Sequence, residues 1–158
     1  MLRFAILTAG NIAHKMAQTI AAVPGMVEPY AIAARSAERA AELARECGFA
    51  KSYGSYEELF ADPNVDIVYI GSTHNFHPQH VRMALNAGKH VLCEKPLTVN
   101  ATLARELFAL ADEKGLVLTE ATWTRFQPAI HRLRQILDAG EIGRVLGVSA
   151  NMGCAVAE

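Results

Sequence analysis

The amino-acid sequence predicts an α/β fold: a doubly wound parallel sheet over residues 1–127, then the start of an α+β domain over 128–158. Two observations point there. Up to residue 118, short apolar runs alternate with segments whose apolar residues recur at helical spacing. Those runs are continuously apolar rather than alternating, so the strands they form are covered on both faces, as in sheets built from right-handed βαβ units.

Residues 4–7 (Phe-Ala-Ile-Leu) form the first strand, followed by a helix over about 12–22 that Pro24 and Gly25 close. A second strand, 29–34, leads into Ser36, a good N-cap. The next helix carries Ala40, Leu43, Ala44 and Cys47 on one face and stops at Gly48. Ser55 and Glu58 make a capping box that opens a short helix ended at residues 62–64. Residues 65–70 read as a buried strand, 78–88 as a helix and 91–93 as a strand. Leu103, Leu107 and Leu110 mark a helix ended by Gly115, with a strand at 116–118. Beyond Pro128, Ile130, Leu133, Ile136 and Leu137 line another helix. There the pattern changes: Leu146, Val148, Ala150 and Met152 alternate with Gly147, Ser149 and Asn151, predicting a half-buried strand with one wet face.

The 158 residues are 51% hydrophobic and 20% charged, which speaks against disorder and against a disulfide scaffold. The formal charge of -1 offers no basic excess for a phosphate backbone, so nucleic acid is not an expected partner. Cys47, Cys93 and Cys154 lie far apart with no C-x-x-C pair and read as thiols of a reducing compartment. The apolar run after Arg3 is too short for a signal peptide, and no span of about 18 apolar residues exists. The expectation is a cytoplasmic protein without a membrane partner.

The first strand runs into Thr8-Ala9-Gly10-Asn11-Ile12-Ala13. Compared with G-x-G-x-x-G/A, Thr8 replaces the first glycine, Gly10 is kept, and Ala13 takes the last small position. A glycine at the centre lets backbone approach a pyrophosphate that any Cβ would obstruct. The helix start at Asn11 and Ile12 then offers free N–H groups and a partial positive charge. The competing reading is a tight strand-to-helix turn in a protein that binds something else.

The second strand ends Ala33-Ala34-Arg35-Ser36, without the carboxylate that bonds the ribose of NAD. Arg35 and Arg39 are four apart and reach one patch; with Ser36 and the helix start they suit a 2′-phosphate. NADP is therefore expected over NAD, against the alternative of a solvated helix face. Glu94 and Lys95 follow the strand 91–93, where ligands meet open α/β sheets. Pro96 disfavours helical geometry at Lys95. An ammonium there could bond a substrate hydroxyl and steady an alkoxide, with Glu94 pairing it or bonding ribose. An ordinary surface ion pair is the alternative.

The run 87–96, Ala-Gly-Lys-His-Val-Leu-Cys-Glu-Lys-Pro, resembles the hallmark segment of the Gfo/Idh/MocA oxidoreductases. Ala33-Ala34-Arg35, residues 53–59 and residues 123–126 resemble the dihydrodiol dehydrogenase branch of that family. The resemblance implies a Rossmann domain joined to an α/β domain with an open antiparallel sheet. It also implies NADP as cofactor, with Arg35 and Arg39 at its 2′-phosphate and Lys95 as the catalytic lysine. It further implies a nicotinamide-side loop at Thr73, His74 and Asn75, with His77 beside the cofactor. Trp123 and Arg125 would wall the nicotinamide and contact phosphate, where the bland alternative is an aromatic hinge. The family's second-domain acid/base residue has no match in these 158 residues. His74, His77 and His80 invite a metal reading, but no carboxylate or cysteine joins them nearby, so no metal is expected.

The leading expectation is an NADP-dependent dehydrogenase acting on a polyol, a sugar or a trans-dihydrodiol. The alternatives are an NADP(H)-binding module without turnover and an interaction protein. The exposed strand near Leu146 needs a covering surface, so a homo-oligomer is expected.

Overall fold

The computed structural model describes residues 1–151 and 153. They form two compact units, Met1–Ala121 and the described residues from Thr122 onward. In the first, six strands lie parallel: β1 (Arg3–Leu7), β2 (Glu28–Ala33), β3 (Lys51–Tyr53), β4 (Ile67–Ile70), β5 (His90–Cys93) and β6 (Leu118–Glu120). Their order is β3-β2-β1-β4-β5-β6, so the winding direction reverses between β1 and β4. Ligands of open α/β sheets bind above such a reversal.

Alternation along the strands divides the core into two layers. Phe4, Ile6, Ile32 and Tyr69 face Ala13 and Ala17 of α1 (Asn11–Ala22) and Leu43 and Ala44 of α2 (Ala37–Cys47). On the other face Ala5, Leu7, Val68 and Ile70 meet Leu59 of α3 (Tyr56–Ala61), Val81 and Leu85 of α4 (His77–Asn86) and Leu107 of α5 (Ala101–Glu113). Each large side chain fully enclosed in this way contributes roughly 1.5–3 kcal/mol. The two faces explain why the central strands β1 and β4 carry continuous apolar runs, Phe4–Leu7 and Ile67–Ile70.

The structure adds β3 to the expected strands; only three residues long and largely exposed, it has no apolar run to betray it. The last strand lies at Leu118–Glu120 rather than at 116–118. Gly115 (φ +65°) and the bond from Leu116 N to Ala111 O close the end of α5, and the chain becomes extended only afterwards. A 3₁₀ turn, His74–Phe76, precedes α4.

The second unit begins ahead of the expected boundary at 127/128. A 3₁₀ turn, Trp123–Phe126, runs into α6 (Pro128–Asp138) through bonds from Gln127 N to Thr124 O and from Ile130 N to Gln127 O. The strand expected from Leu146 onward is not formed. Residues 145–150 are irregular, with Leu146 and Val148 exposed; Met152 lies outside the described residues. A strand exists only by bonding a neighbour, and none among the described residues pairs with this run.

Polar groups stitch the amino edge of the sheet. Asp66 accepts from Arg3 N (2.7 Å) and Arg3 Nε (3.2 Å). Buried Asp62 accepts from the hydroxyls of Tyr30 (2.9 Å) and Tyr53 (2.5 Å), from Lys51 Nζ (3.1 Å) and from Asn64 N (2.8 Å). Burial opposes ionisation of Asp62. The donors, Tyr53 foremost, outweigh it and hold the carboxyl well below its usual range. Burial first, then the bond to Asp62, pushes the Tyr53 phenol up to about 12. A depressed folded-state value means stability that is fully present above the unfolded value of about 4 and drains away as pH falls below it. The urea midpoint should therefore drop below about pH 4, and drop less steeply in Asp62→Asn. That variant should also lose roughly 2 kcal/mol at neutral pH, because its four donors lose their charged acceptor.

Candidate functional site

The turn between β1 and α1 is shaped by two residues with opposite constraints. Thr8 sits at φ +96°, unusual for a β-branched residue. It is held there by a bond from its N–H to Ala33 O (2.8 Å) and from its hydroxyl to Gly71 O (3.1 Å), which tie the ends of β1, β2 and β4 together. The fingerprint glycine is thus replaced by a residue whose hydroxyl anchors the turn. Gly10 is the reverse case. Its backbone is ordinary (φ -88°, ψ 179°), and a Cβ built on it would meet nothing within 4 Å. Neither conformation nor packing demands a glycine here, and the space above it is open. Gly10 caps α1 without a side-chain bond, and the first helical bond runs from His14 N to Gly10 O. The first-turn amides, at Asn11 and Ile12 among others, thus have no helical acceptor, and the turn carries no acidic residue. The turn therefore fits the pyrophosphate of a dinucleotide.

A groove runs from this turn in two connected clefts. One, of about 460 Å³, is lined by Ala9, Gly10, Ala34, Arg35, Ser36, Arg39 and Tyr56. The other, of about 310 Å³, shares Arg35 and Tyr56 and continues past Thr8 and Thr73 to Phe76, Gln79 and His80. The structure brings the expected phosphate residues together. Arg35 is exposed and lines both clefts, while Arg39 donates from Nη2 to Ala9 O (3.0 Å) and so also steadies the turn. Ser36 is busier than expected: its hydroxyl accepts from Arg39 N (3.3 Å) and donates to Glu38 Oε2 (2.8 Å).

Sequence reasoning missed the aromatic wall of the second cleft. The Phe76 ring stacks on His80 (5.8 Å, 18°), and Tyr56 meets His80 edge-on (5.1 Å). Burial first, then the neighbouring His77, pushes His80 below its usual value, which favours a neutral ring beside the cleft. The only sequence signal for this wall was the i, i+4 spacing of Phe76 and His80.

At the carboxyl edge of β5, Glu94 and Lys95 line neither cleft. Their backbone is pinned residue by residue. Glu94 N donates to Ile70 O (2.9 Å), Lys95 N to Glu94 Oε2 (3.2 Å) and Leu97 N to Glu120 Oε1 (2.8 Å). The other Glu94 oxygen accepts from the Tyr69 hydroxyl (2.7 Å), whose proton burial and this carboxylate both retain. Glu94 therefore organises its own loop instead of pairing with the Lys95 ammonium. Lys95 is exposed, its peptide to Pro96 is cis, and its ammonium bonds no group among the described residues. A fixed main chain bearing a free cation is what charge stabilisation at a developing oxyanion requires.

The remaining expected residues are scattered. His77 is only 1% exposed, with both ring nitrogens against carbonyl oxygens, so no face of it is open to a ligand. His74 and Asn75 are exposed in the 3₁₀ turn and line neither cleft. Trp123 and Arg125 stand exposed in the second unit. Among the described residues no three His, Cys, Asp or Glu side chains group as metal ligands, and no helix is long and apolar enough to cross a membrane.

The strand order, the open glycine at the β1–α1 turn and the groove above the reversal define an NAD(P)-binding Rossmann domain. Residues 2–122 match the family described as oxidoreductases with an NAD-binding Rossmann fold, GFO_IDH_MocA. The chain belongs to that family. It is 45% identical over 157 residues to a trans-1,2-dihydrobenzene-1,2-diol dehydrogenase of Sus scrofa, covering 99% of this chain and 47% of that one. It is 43% identical over 162 residues to a D-xylose 1-dehydrogenase (NADP(+)) of Hypocrea jecorina, covering 96% and 41%. Among solved structures it resembles a 3-ketoreductase from Actinomadura kijaniata in complex with TDP-benzene and NADP. That match has a TM-score of 0.83 and 34% identity, over 91% of this chain and 44% of the other. The chain spans less than half the length of these relatives.

Proposed function

We propose that this chain is the nucleotide-holding part of an NADP-dependent dehydrogenase that oxidises a secondary alcohol of a polyol, sugar or trans-dihydrodiol. The observation that carries the reading is the cleft that joins Gly10 to Arg35 and Arg39 at the end of β2. It offers a diphosphate cradle and two guanidinium groups in one continuous groove. The relatives support the substrate class: one is named for a dihydrodiol, the other for xylose and NADP(+).

In this reading the amides of α1 hold the diphosphate, and Gly10 lets the main chain come close. Arg35 and Arg39 meet the 2′-phosphate, and the wall of Tyr56, Phe76 and His80 accepts the adenine ring. When bound, the nicotinamide supplies a centre that takes or gives hydride. Lys95 hydrogen-bonds the substrate oxygen and favours loss of the hydroxyl proton, so that the oxygen is an alkoxide before the carbon–hydrogen bond breaks and a carbonyl after it. Thr73, His74 and Asn75 remain proposed for the nicotinamide side.

Fluorescence titration of the chain with NADPH and with NADH tests the cofactor. NADPH is expected to bind more tightly by at least about tenfold, as two charge-assisted contacts imply. Equal affinities would remove the arginine pair from the reading. A turnover panel of cyclic diols and pentoses, run on the chain, then tests the substrate class.

A further inference from the structure

We infer that His77 is a positioning residue for Lys95: its imidazole is a strut that sets the loop after β5 against the loop after β4. The inference rests on the reading of the groove as an NADP(H) site and deepens it.

The geometry is specific. His77 Nδ1 lies 2.7 Å from Pro96 O, and Nε2 lies 2.9 Å from Ser72 O. Carbonyl oxygens only accept and a neutral imidazole has one N–H, so the ring donates to one of the two carbonyls in either tautomer and to both only when protonated; no hydrocarbon side chain could supply either bond. The two carbonyls belong to different parts of the site. Ser72 lines the cleft beside Thr8, whereas Pro96 directly follows Lys95. Ser72 is gripped a second time from the same helix, through His80 Nδ1 to its Oγ (2.9 Å). His77 and His80, three apart, share a face of α4.

The other contacts of the loop leave this task to His77. Glu94 N is held by β4 and Leu97 N by Glu120. Between them, the carbonyl of Pro96 is fixed by the imidazole. The enclosed ring touches no ligand; it acts through Lys95, whose ammonium is placed by the main chain around it. A histidine spaced like a metal ligand is thereby accounted for without a metal.

The test uses this chain and His77→Gln, which keeps a buried polar side chain but cannot span both carbonyls. Each is titrated with NADPH and with 2′,5′-ADP, which carries both phosphates of the adenosine end and lacks the nicotinamide riboside. His77→Gln should weaken NADPH about five- to tenfold, the worth of a lost hydrogen bond, and change 2′,5′-ADP less than about twofold. Without nucleotide, amide exchange at Lys95 and Leu97 should quicken while residues 4–7 stay protected. Equal weakening of both ligands, loss of the folded circular dichroism, or unchanged exchange at Lys95 and Leu97 would each overturn the strut. If the unaltered chain binds neither ligand, the cofactor reading fails instead, and the exchange arm still decides the role of His77.

Discussion

Gly10→Ala is expected to abolish useful NADPH binding, weakening it by about a hundredfold or more, while leaving the fold intact. The two effects separate because of what surrounds Gly10. Its backbone conformation is open to any residue, and a methyl group there would meet no protein atom within 4 Å. Alanine is a poorer helix cap than glycine, yet it reduces the entropy of the unfolded chain, so stability should stay within about 1 kcal/mol. The same methyl would stand where the diphosphate has to approach the first turn of α1. Urea unfolding beside NADPH fluorescence checks both halves. Undiminished binding would mean that the space above Gly10 is not where phosphate lies. Gly71 offers the contrast. A Cβ there would come within 3.1 Å of Tyr69 Cε1 and 3.2 Å of Ile12 Cγ2, so substitution should cost stability as well as binding.

Arg35→Ala should weaken NADPH by about ten- to a hundredfold and NADH by less than about threefold, since charge-assisted bonds to phosphate are worth roughly 1.5–3 kcal/mol. Arg39→Ala should behave differently. Its guanidinium also donates to Ala9 O, so its loss loosens the turn that both cofactors share, and NADH should weaken alongside NADPH. Paired titrations of the two variants read this asymmetry directly. Identical selectivity changes in both would show that the Ala9 contact carries no energy. A larger effect of Arg35→Ala on NADH than on NADPH would place the 2′-phosphate elsewhere.

What could be read from sequence follows the reach of each interaction. The β1–α1 turn, the arginines after β2 and the Glu94–Lys95 pair are runs of a few adjacent residues with meaning in their own order, and the structure sets the turn and the arginines on one groove. The wall formed by Tyr56, Phe76 and His80 was invisible because α3 and α4 meet there only through the fold. Direction was equally hidden. The position of His77 was legible, but its enclosure is decided by Ser72 and Pro96, the latter 19 residues away. From sequence, Glu94 is expected either to pair with the Lys95 ammonium or to bond ribose, while a buried tyrosine on the neighbouring strand holds one of its oxygens. The pattern at Leu146 marks a strand only where another strand is there to receive it.

The tight stitching of one end of the sheet and the openness of the other divide the labour of the molecule. At the amino end, Asp62 is engaged by tyrosine, lysine and asparagine donors, Asp66 by Arg3, and the buried Lys89 bonds the carbonyls of Asp62 and Val65. Changes there alter how long the molecule survives, not what it holds. At the opposite end, exposed arginines and a lone ammonium can be traded without touching that lock. Durability and specificity are therefore free to drift apart in descent, each under its own selection.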